Sequence, residues 1–185
     1  MSGPAAPCRG AVLVGGRSSR MGRDKALVAV DGVPMAQRVA TALRSAGCVD
    51  VVAVGPAHSA AGLDVLPDRY PHEGPLGAIL TALVASAPAE VLVAACDLPW
   101  LDLASVSALL AAGRAHPGAD VVVGRTDRVE PLCALWRPTA IASVRQSFDD
   151  GERAVHRAMR ALRCTEVVLD ADALRNVNSP GDLPE

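Results

Sequence analysis

The stretch Gly15-Gly16-Arg17-Ser18-Ser19-Arg20-Met21-Gly22-Arg23-Asp24-Lys25 gathers four cations, Arg17, Arg20, Arg23 and Lys25, into one loop behind a pair of glycines. Adjacent glycines let backbone N–H groups close on an anion, and the cations supply charge that Asp24 offsets only in part. The guest this pattern suits is a polyphosphate, with a nucleoside triphosphate as the natural example. Two familiar phosphate loops are excluded. There is no G-x-G-x-x-G, and Lys25 is followed by Ala26 where a P-loop carries Ser or Thr.

A carboxylate to work with the loop comes from Cys96-Asp97-Leu98-Pro99. The preceding run Val91–Ala95 is apolar on both faces, as a central parallel strand should be. Ligands of open α/β sheets gather beyond the carboxyl ends of the strands, so Asp97 is expected to face the same crevice as the loop. Asp102 already stands where the next helix needs its cap. Trp136 could stack on a ring, but a lone Trp in an apolar strand reads first as core. Arg153, Arg157 and Arg160 read as a solvated helix face, with contact to a second phosphate as the alternative. The histidines are scattered and none is assigned.

The elements that must position these groups alternate strand and helix. Ala11–Val14 is the strand that delivers the loop. Pro34 and Gly47 bracket a helix over 35–46, and Val51–Val54 and Leu63–Leu66 follow as strands. Pro75 opens an alanine-rich helix to about Ser86, and Asp102 opens one over 103–114. Ala119–Gly124 and the run 129–136 read as neighbouring strands, the second antiparallel, because their connection is too short for a crossover helix. Helices are expected over 138–148 and 154–162, then a strand over 164–169. Ser179 with Asp182 forms a capping-box pattern with Pro180 in the first helical position. The fold class implied is α/β: a Rossmann-like three-layer sandwich, its mostly parallel sheet flanked by helices.

The 185 residues suit one domain, read as 10–185 behind a flexible tail over 1–9. Half the residues are hydrophobic yet only 2% are aromatic, so the core must be built from Ala, Val and Leu in closely packed layers. A formal net charge of -2 gives no global attraction to nucleic acid or anionic membrane, which points to a small-molecule phosphate partner. The five cysteines are odd in number and lack C-x-x-C spacing, so neither a disulfide framework nor a zinc site is expected and a cytoplasmic setting fits. No signal peptide or membrane span is evident.

The ordered motifs Leu13-x-Gly15-Gly16-x-Ser18-x-Arg20-Met21-Gly22-x-Asp24-Lys25, Gly74-Pro75-Leu76, Cys96-Asp97-x-Pro99, Pro131-Leu132-x-Ala134-Leu135-Trp136-Arg137, Gly151-Glu152-Arg153 and Asn176-Val177-Asn178 resemble the nucleotidyltransferase family that contains the molybdenum cofactor guanylyltransferases. The resemblance implies transfer of GMP from GTP to the phosphate of molybdopterin, with release of pyrophosphate. It implies Leu13, Val14, Gly15, Gly16, Lys25, Asp68 and Asp97 along the nucleotide. Asp97 and Asn178 would hold Mg2+, while Lys25, Arg20 and Asp97 would be catalytic. The 130–137 segment would line the acceptor side, and proteins that deliver or receive the cofactor would make transient contact. Val54-Gly55-Pro56-Ala57 stands where family members often carry an asparagine near the base. A cytidylyltransferase for the same pterin, a sugar-phosphate nucleotidyltransferase and a non-catalytic nucleotide-binding module therefore stay open.

Overall fold

Strands that are apolar on both faces need cover on both sides, and the chain supplies it. The computed structural model describes residues 7–15 and 24–182. Its main sheet has seven strands: β1 (Arg9–Leu13), β4 (Val49–Val54), β5 (Asp64–Leu66), β6 (Val91–Ala95), β7 (Val121–Arg125), β8 (Val129–Trp136) and β9 (Cys164–Val168), in the order β5-β4-β1-β6-β8-β7-β9. A separate two-stranded hairpin pairs β2 (Ala29–Val30) with β3 (Val33–Pro34) across the turn at Asp31-Gly32. Strands β5, β4, β1 and β6 are mutually parallel. β8 runs antiparallel to both β6 and β7, and β9 returns parallel to β7.

Among the described residues five α-helices cover the sheet: α1 (Met35–Ser45), α2 (Pro75–Ser86), α3 (Leu103–Ala115), α4 (Ile141–Asp149) and α5 (Val155–Ala158). Alternate strand residues feed two cores, as the period-two pleat requires. Val12, Leu92, Val122 and Leu135 pack with Val39 and Leu43 of α1 and Val106 and Leu109 of α3. Leu13, Val93, Val121 and Trp136 pack on the other face with Ile79 and Leu80 of α2, Val144 and Phe148 of α4, and Val155 of α5. The result is the expected three-layer sandwich with a mostly parallel sheet.

Three expectations need correction. Cys8 and Arg9 are not tail: Arg9 N–H donates to Glu90 O (2.9 Å) and Val49 N–H donates to Cys8 O (2.9 Å), which fixes this segment between β4 and β6. The helix expected over 138–148 begins as a 3-10 turn at Pro138–Ala140 and becomes α-helical only at Ile141. The helix expected over 154–162 is four residues long and decays through a 3-10 turn, Met159–Ala161. It ends early because Arg163 is held by Asp120 through its backbone N–H (3.0 Å) and its guanidinium (2.7 and 2.9 Å), which turns the chain out into β9.

Candidate active site at the carboxyl edge

The ends of β1 and β4 approach at van der Waals distance beneath the site. Val14 N–H donates to Val54 O at 3.0 Å. Gly55 sits at φ +146°, where a Cβ would stand 3.0 Å from both Gly15 N and Val14 Cγ2, so only glycine fits this crossing. Residues 16–23, and with them Gly16 and Arg20, lie outside the described residues. Where the chain is described again, Asp24 anchors it. One carboxylate oxygen accepts from Ala26 N–H (3.0 Å), capping the 3-10 turn Lys25–Leu27, and the other accepts from the hydroxyl of buried Ser59. Sequence reasoning treated Asp24 only as charge offset; its spacing ahead of a short apolar turn was the available signal for a cap.

This anchorage aims Lys25 at the end of β6. Its Nζ lies 3.3 Å from Asp97 Oδ2 and 2.7 Å from Asn178 Oδ1, bringing together groups 72 and 153 residues apart. Asp97 and Lys25 side chains are each one-fifth exposed. The segment after β9 runs back along the carboxyl edge to reach them. Val177 N–H donates to Asp97 O at 2.9 Å, and Asn176 Nδ2 donates to Asp97 Oδ1 at 3.3 Å. Asp182 fixes the approach by accepting from the N–H groups of Asn178 (2.8 Å) and Ser179 (2.7 Å), and these donors hold its carboxyl below the usual range. Next to Asp97, burial and then the Asp97 charge push the Cys96 thiol up to about 12, so it stays protonated at neutral pH. Asp97 and Asn178 therefore offer a carboxylate and an amide oxygen that converge on one cationic group, the hard-oxygen set that suits a small divalent ion. Among the described residues, no group of three His, Cys, Asp or Glu side chains could hold a metal by itself.

Other candidates stand apart. Leu13 and Val14 are buried in the core, so their side chains do not line the crevice. Asp68 Oδ1 accepts from Tyr70 N–H (3.0 Å) and lies 3.0 Å from the Thr81 hydroxyl, which pins the 67–74 loop to α2 beyond the end of β5. Arg153 is committed elsewhere. Its guanidinium bonds Glu73 (2.6 Å) and Phe148 O (2.7 Å) and covers the Phe148 ring, while Arg157 pairs with Glu152. Trp136 is fully buried, and Arg137 donates to Gly113 O (2.6 Å), Ala119 O (2.7 Å) and Glu90 (2.6 Å). Because β8 runs antiparallel, Trp136 and Arg137 lie at the amino edge of the sheet, and only the start of β8 reaches the crevice.

At that start a cavity of about 330 Å³ opens beside the central pair, lined by Leu98, Arg128, Glu130, Leu132, His156 and Asn176 among others. Of the lining residues, the sequence places Glu130, Pro131 and Leu132 on the acceptor side, and His156 was missed.

Residues 10–167 match the family described as the MobA-like NTP transferase domain. The chain belongs to that family. It is 38% identical over 168 residues to a probable molybdenum cofactor guanylyltransferase of Opitutus terrae, covering 88% of this chain and 82% of the relative. A molybdenum cofactor guanylyltransferase of Rhodobacter capsulatus is 36% identical over 94% of this chain and 92% of its own. Among solved structures, molybdopterin-guanine dinucleotide biosynthesis protein A from Archaeoglobus fulgidus superposes with a TM-score of 0.79 over 94% of both chains at 23% identity, which establishes the common fold. As a MobA-like NTP transferase the chain is an enzyme of nucleotidyl transfer, which removes the non-catalytic binding module. Among the described residues no helix is long and apolar enough to cross a membrane.

Proposed function

We infer that the protein transfers GMP from GTP to the terminal phosphate of molybdopterin, forming the guanine dinucleotide cofactor and pyrophosphate. The observation that carries the reading is the meeting of Lys25, Asp97 and Asn178 at the carboxyl edge, in a chain whose relatives bear the guanylyltransferase name. A phosphate oxygen of the acceptor forms a bond to the α-phosphorus of GTP, and the bond from that phosphorus to the β-phosphate bridging oxygen breaks. The acceptor phosphate is already ionised at neutral pH, so no separate general base is required.

Positioning and charge neutralisation carry most of such a reaction. The backbone at Gly15 and Gly16, with Arg20, grips the triphosphate, and Lys25 neutralises the charge that builds on the α-phosphate. Asp68 supports the nucleotide side of the crevice. Asp97 and Asn178 would hold a magnesium ion through their two converging oxygens. That ion, when bound, supplies Lewis-acid stabilisation of the phosphoryl oxygens. Residues 10–185 act as one catalytic unit, and the five free thiols suit a reducing cytoplasm.

The test is to incubate the protein with magnesium, purified molybdopterin and each of GTP, CTP, ATP and UTP, measuring pyrophosphate and the dinucleotide formed. GTP is expected to turn over fastest. Turnover with CTP alone overturns the guanylyl assignment, and no turnover with any overturns the function.

A further inference from the structure

The cavity at the start of β8 is made by an interruption in the sheet. β8 follows β6 in register only as far as Ala94 opposite Cys133. Against β7 the pairing jumps from Val123–Ala134 to Gly124–Glu130, which leaves Pro131, Leu132 and Cys133 without a partner on β7, while Cys133 stays paired with Ala94 of β6. Pro131 lies among them, a residue with no N–H to give a ladder and therefore at home in a bulge. The consequence is that Pro131 and Leu132, unpaired with β7, wall the cavity together with Glu130, which is the residue where pairing with Gly124 resumes.

Among the described residues Glu130 is the one acid on that wall, its side chain only 15% exposed, beside the apolar surfaces of Leu98, Val129, Pro131 and Leu132. Its Oε1 accepts from Arg128 Nε at 2.7 Å, and Arg128 is 70% exposed, on the short turn joining β7 to β8. Asn176 shares the cavity wall and bonds Asp97, and Leu98 beside Asp97 lines it as well, so the cavity adjoins the carboxylate. A carboxylate set in an apolar slot is complementary to a flat heterocycle that presents adjacent N–H donors on one edge. A guanidinium carries the same N–C–N donor pattern, and Arg128 now occupies the carboxylate through its Nε.

Resting on the reading above, we propose that Glu130 recognises the ring N–H and exocyclic amino group of the acceptor's pterin, and that Arg128 is a displaceable placeholder on that carboxylate. Guanine carries the same donor edge, so the sheet order decides between them. Gly15 after β1 and Asp68 after β5 lie on one side of Asp97, while the cavity lies on the other, toward β8 and β7. The nucleotide base belongs to the first side and the acceptor to the second. With Glu130 neutralised, two donors of the bound pterin lose their charged acceptor, a penalty felt in acceptor binding alone.

The experiment compares wild type with Glu130→Gln and Arg128→Ala. Steady-state assays vary molybdopterin and GTP separately, and fluorescence quenching measures binding of 6-hydroxymethylpterin and of its 2-oxo analogue, which lacks the amino group. Glu130→Gln is expected to raise KM for molybdopterin about 10–100-fold with little change in kcat or in KM for GTP. It should also erase the preference of wild type for the pterin over its 2-oxo analogue. Arg128→Ala, which empties the carboxylate, is expected to tighten pterin binding severalfold, and it judges the proposal even should Glu130→Gln fold poorly. A rise confined to KM for GTP assigns Glu130 to guanine and overturns the proposal. Unchanged pterin binding in Glu130→Gln, or weaker binding in Arg128→Ala, overturns it as well. Because the quenching arm needs no turnover, its result stands separately from a failure of guanylyl transfer in the wild type.

Discussion

Two charged clusters occupy opposite edges of the same sheet and are wired in opposite ways. At the amino edge Asp120 is saturated by protein: Arg163 donates through its backbone N–H at 3.0 Å and its guanidinium at 2.9 and 2.7 Å, and the Thr139 hydroxyl adds a bond of 2.7 Å. At the carboxyl edge, among the described residues, the Asp97 carboxylate has contacts of 3.3 Å to Lys25 and to Asn176. Short, convergent bonds hold β7 to β9 and leave nothing for a ligand. Longer contacts around a partly exposed carboxylate leave it freer to exchange partners. The difference separates charges spent on the fold from charges that the proposed function would use.

The sharpest way to break the comparison is to remove one member of each cluster. Lys25→Ala and Asp97→Asn are expected to lower kcat by at least about 10²-fold, corresponding to about 2.7 kcal/mol of transition-state stabilisation. Their melting temperatures should stay near that of wild type, since both groups are exposed enough to be resolvated. An unaffected turnover in Lys25→Ala with GTP and molybdopterin would remove Lys25 from the mechanism. Asp120→Ala should do the reverse: a loss of about 2 kcal/mol in chemical denaturation, with folded enzyme retaining its kcat. Much of that cost comes from breaking charged hydrogen bonds to a buried carboxylate. A large drop in kcat without destabilisation would show that the two edges are not separable.

Acidification separates the clusters more gently. The Arg163 guanidinium, above all, holds the Asp120 carboxyl well below its ordinary value of 3.8. A group whose pKa is lower folded than unfolded contributes stability that is fully present above the unfolded value and drains away as pH falls through it toward the folded value. Urea midpoints should therefore fall between about pH 4.5 and pH 2.5 in wild type, and Asp120→Asn should flatten that slope. An equal slope in both proteins would locate the acid sensitivity elsewhere.

The same contrast explains what could be read from the sequence. Element types and most boundaries were legible because apolar runs and breakers are local: Pro75 opens α2, Asp102 caps α3 by accepting from Ser105 N–H, and the Ser179–Asp182 pattern closes in space. Lys25, Asp97 and Asn178 were legible from motif order, since parallel strands deliver their loops to one edge. The pocket was not, because a three-residue bulge in β8 depends on which residues stand opposite in β6 and β7. Pro131 gave the only local hint. Likewise the run from Pro131 to Arg137 reads as one motif, yet strand direction sends its two ends to opposite edges, so Arg137 staples the end of α3 and never meets the crevice.

Trp136, at the amino-edge end of β8, supports the smallest prediction. It is fully buried opposite Val91 and Val121, and among the described residues its Nε1 finds no hydrogen-bond partner. A buried donor left unpaired costs about 1–3 kcal/mol, while shrinking the ring to that of phenylalanine leaves a void costing about 1–2 kcal/mol. The two effects oppose each other, so Trp136→Phe should change stability by less than about 1 kcal/mol, a shift of about 2–4 °C at most in a chain of this size. Stacking on a substrate ring is excluded by its position, so KM for both substrates should stay at the wild-type value. A loss above about 3 kcal/mol would show that the indole N–H is paired in solution, and a rise in either KM would place the ring within reach of the crevice after all.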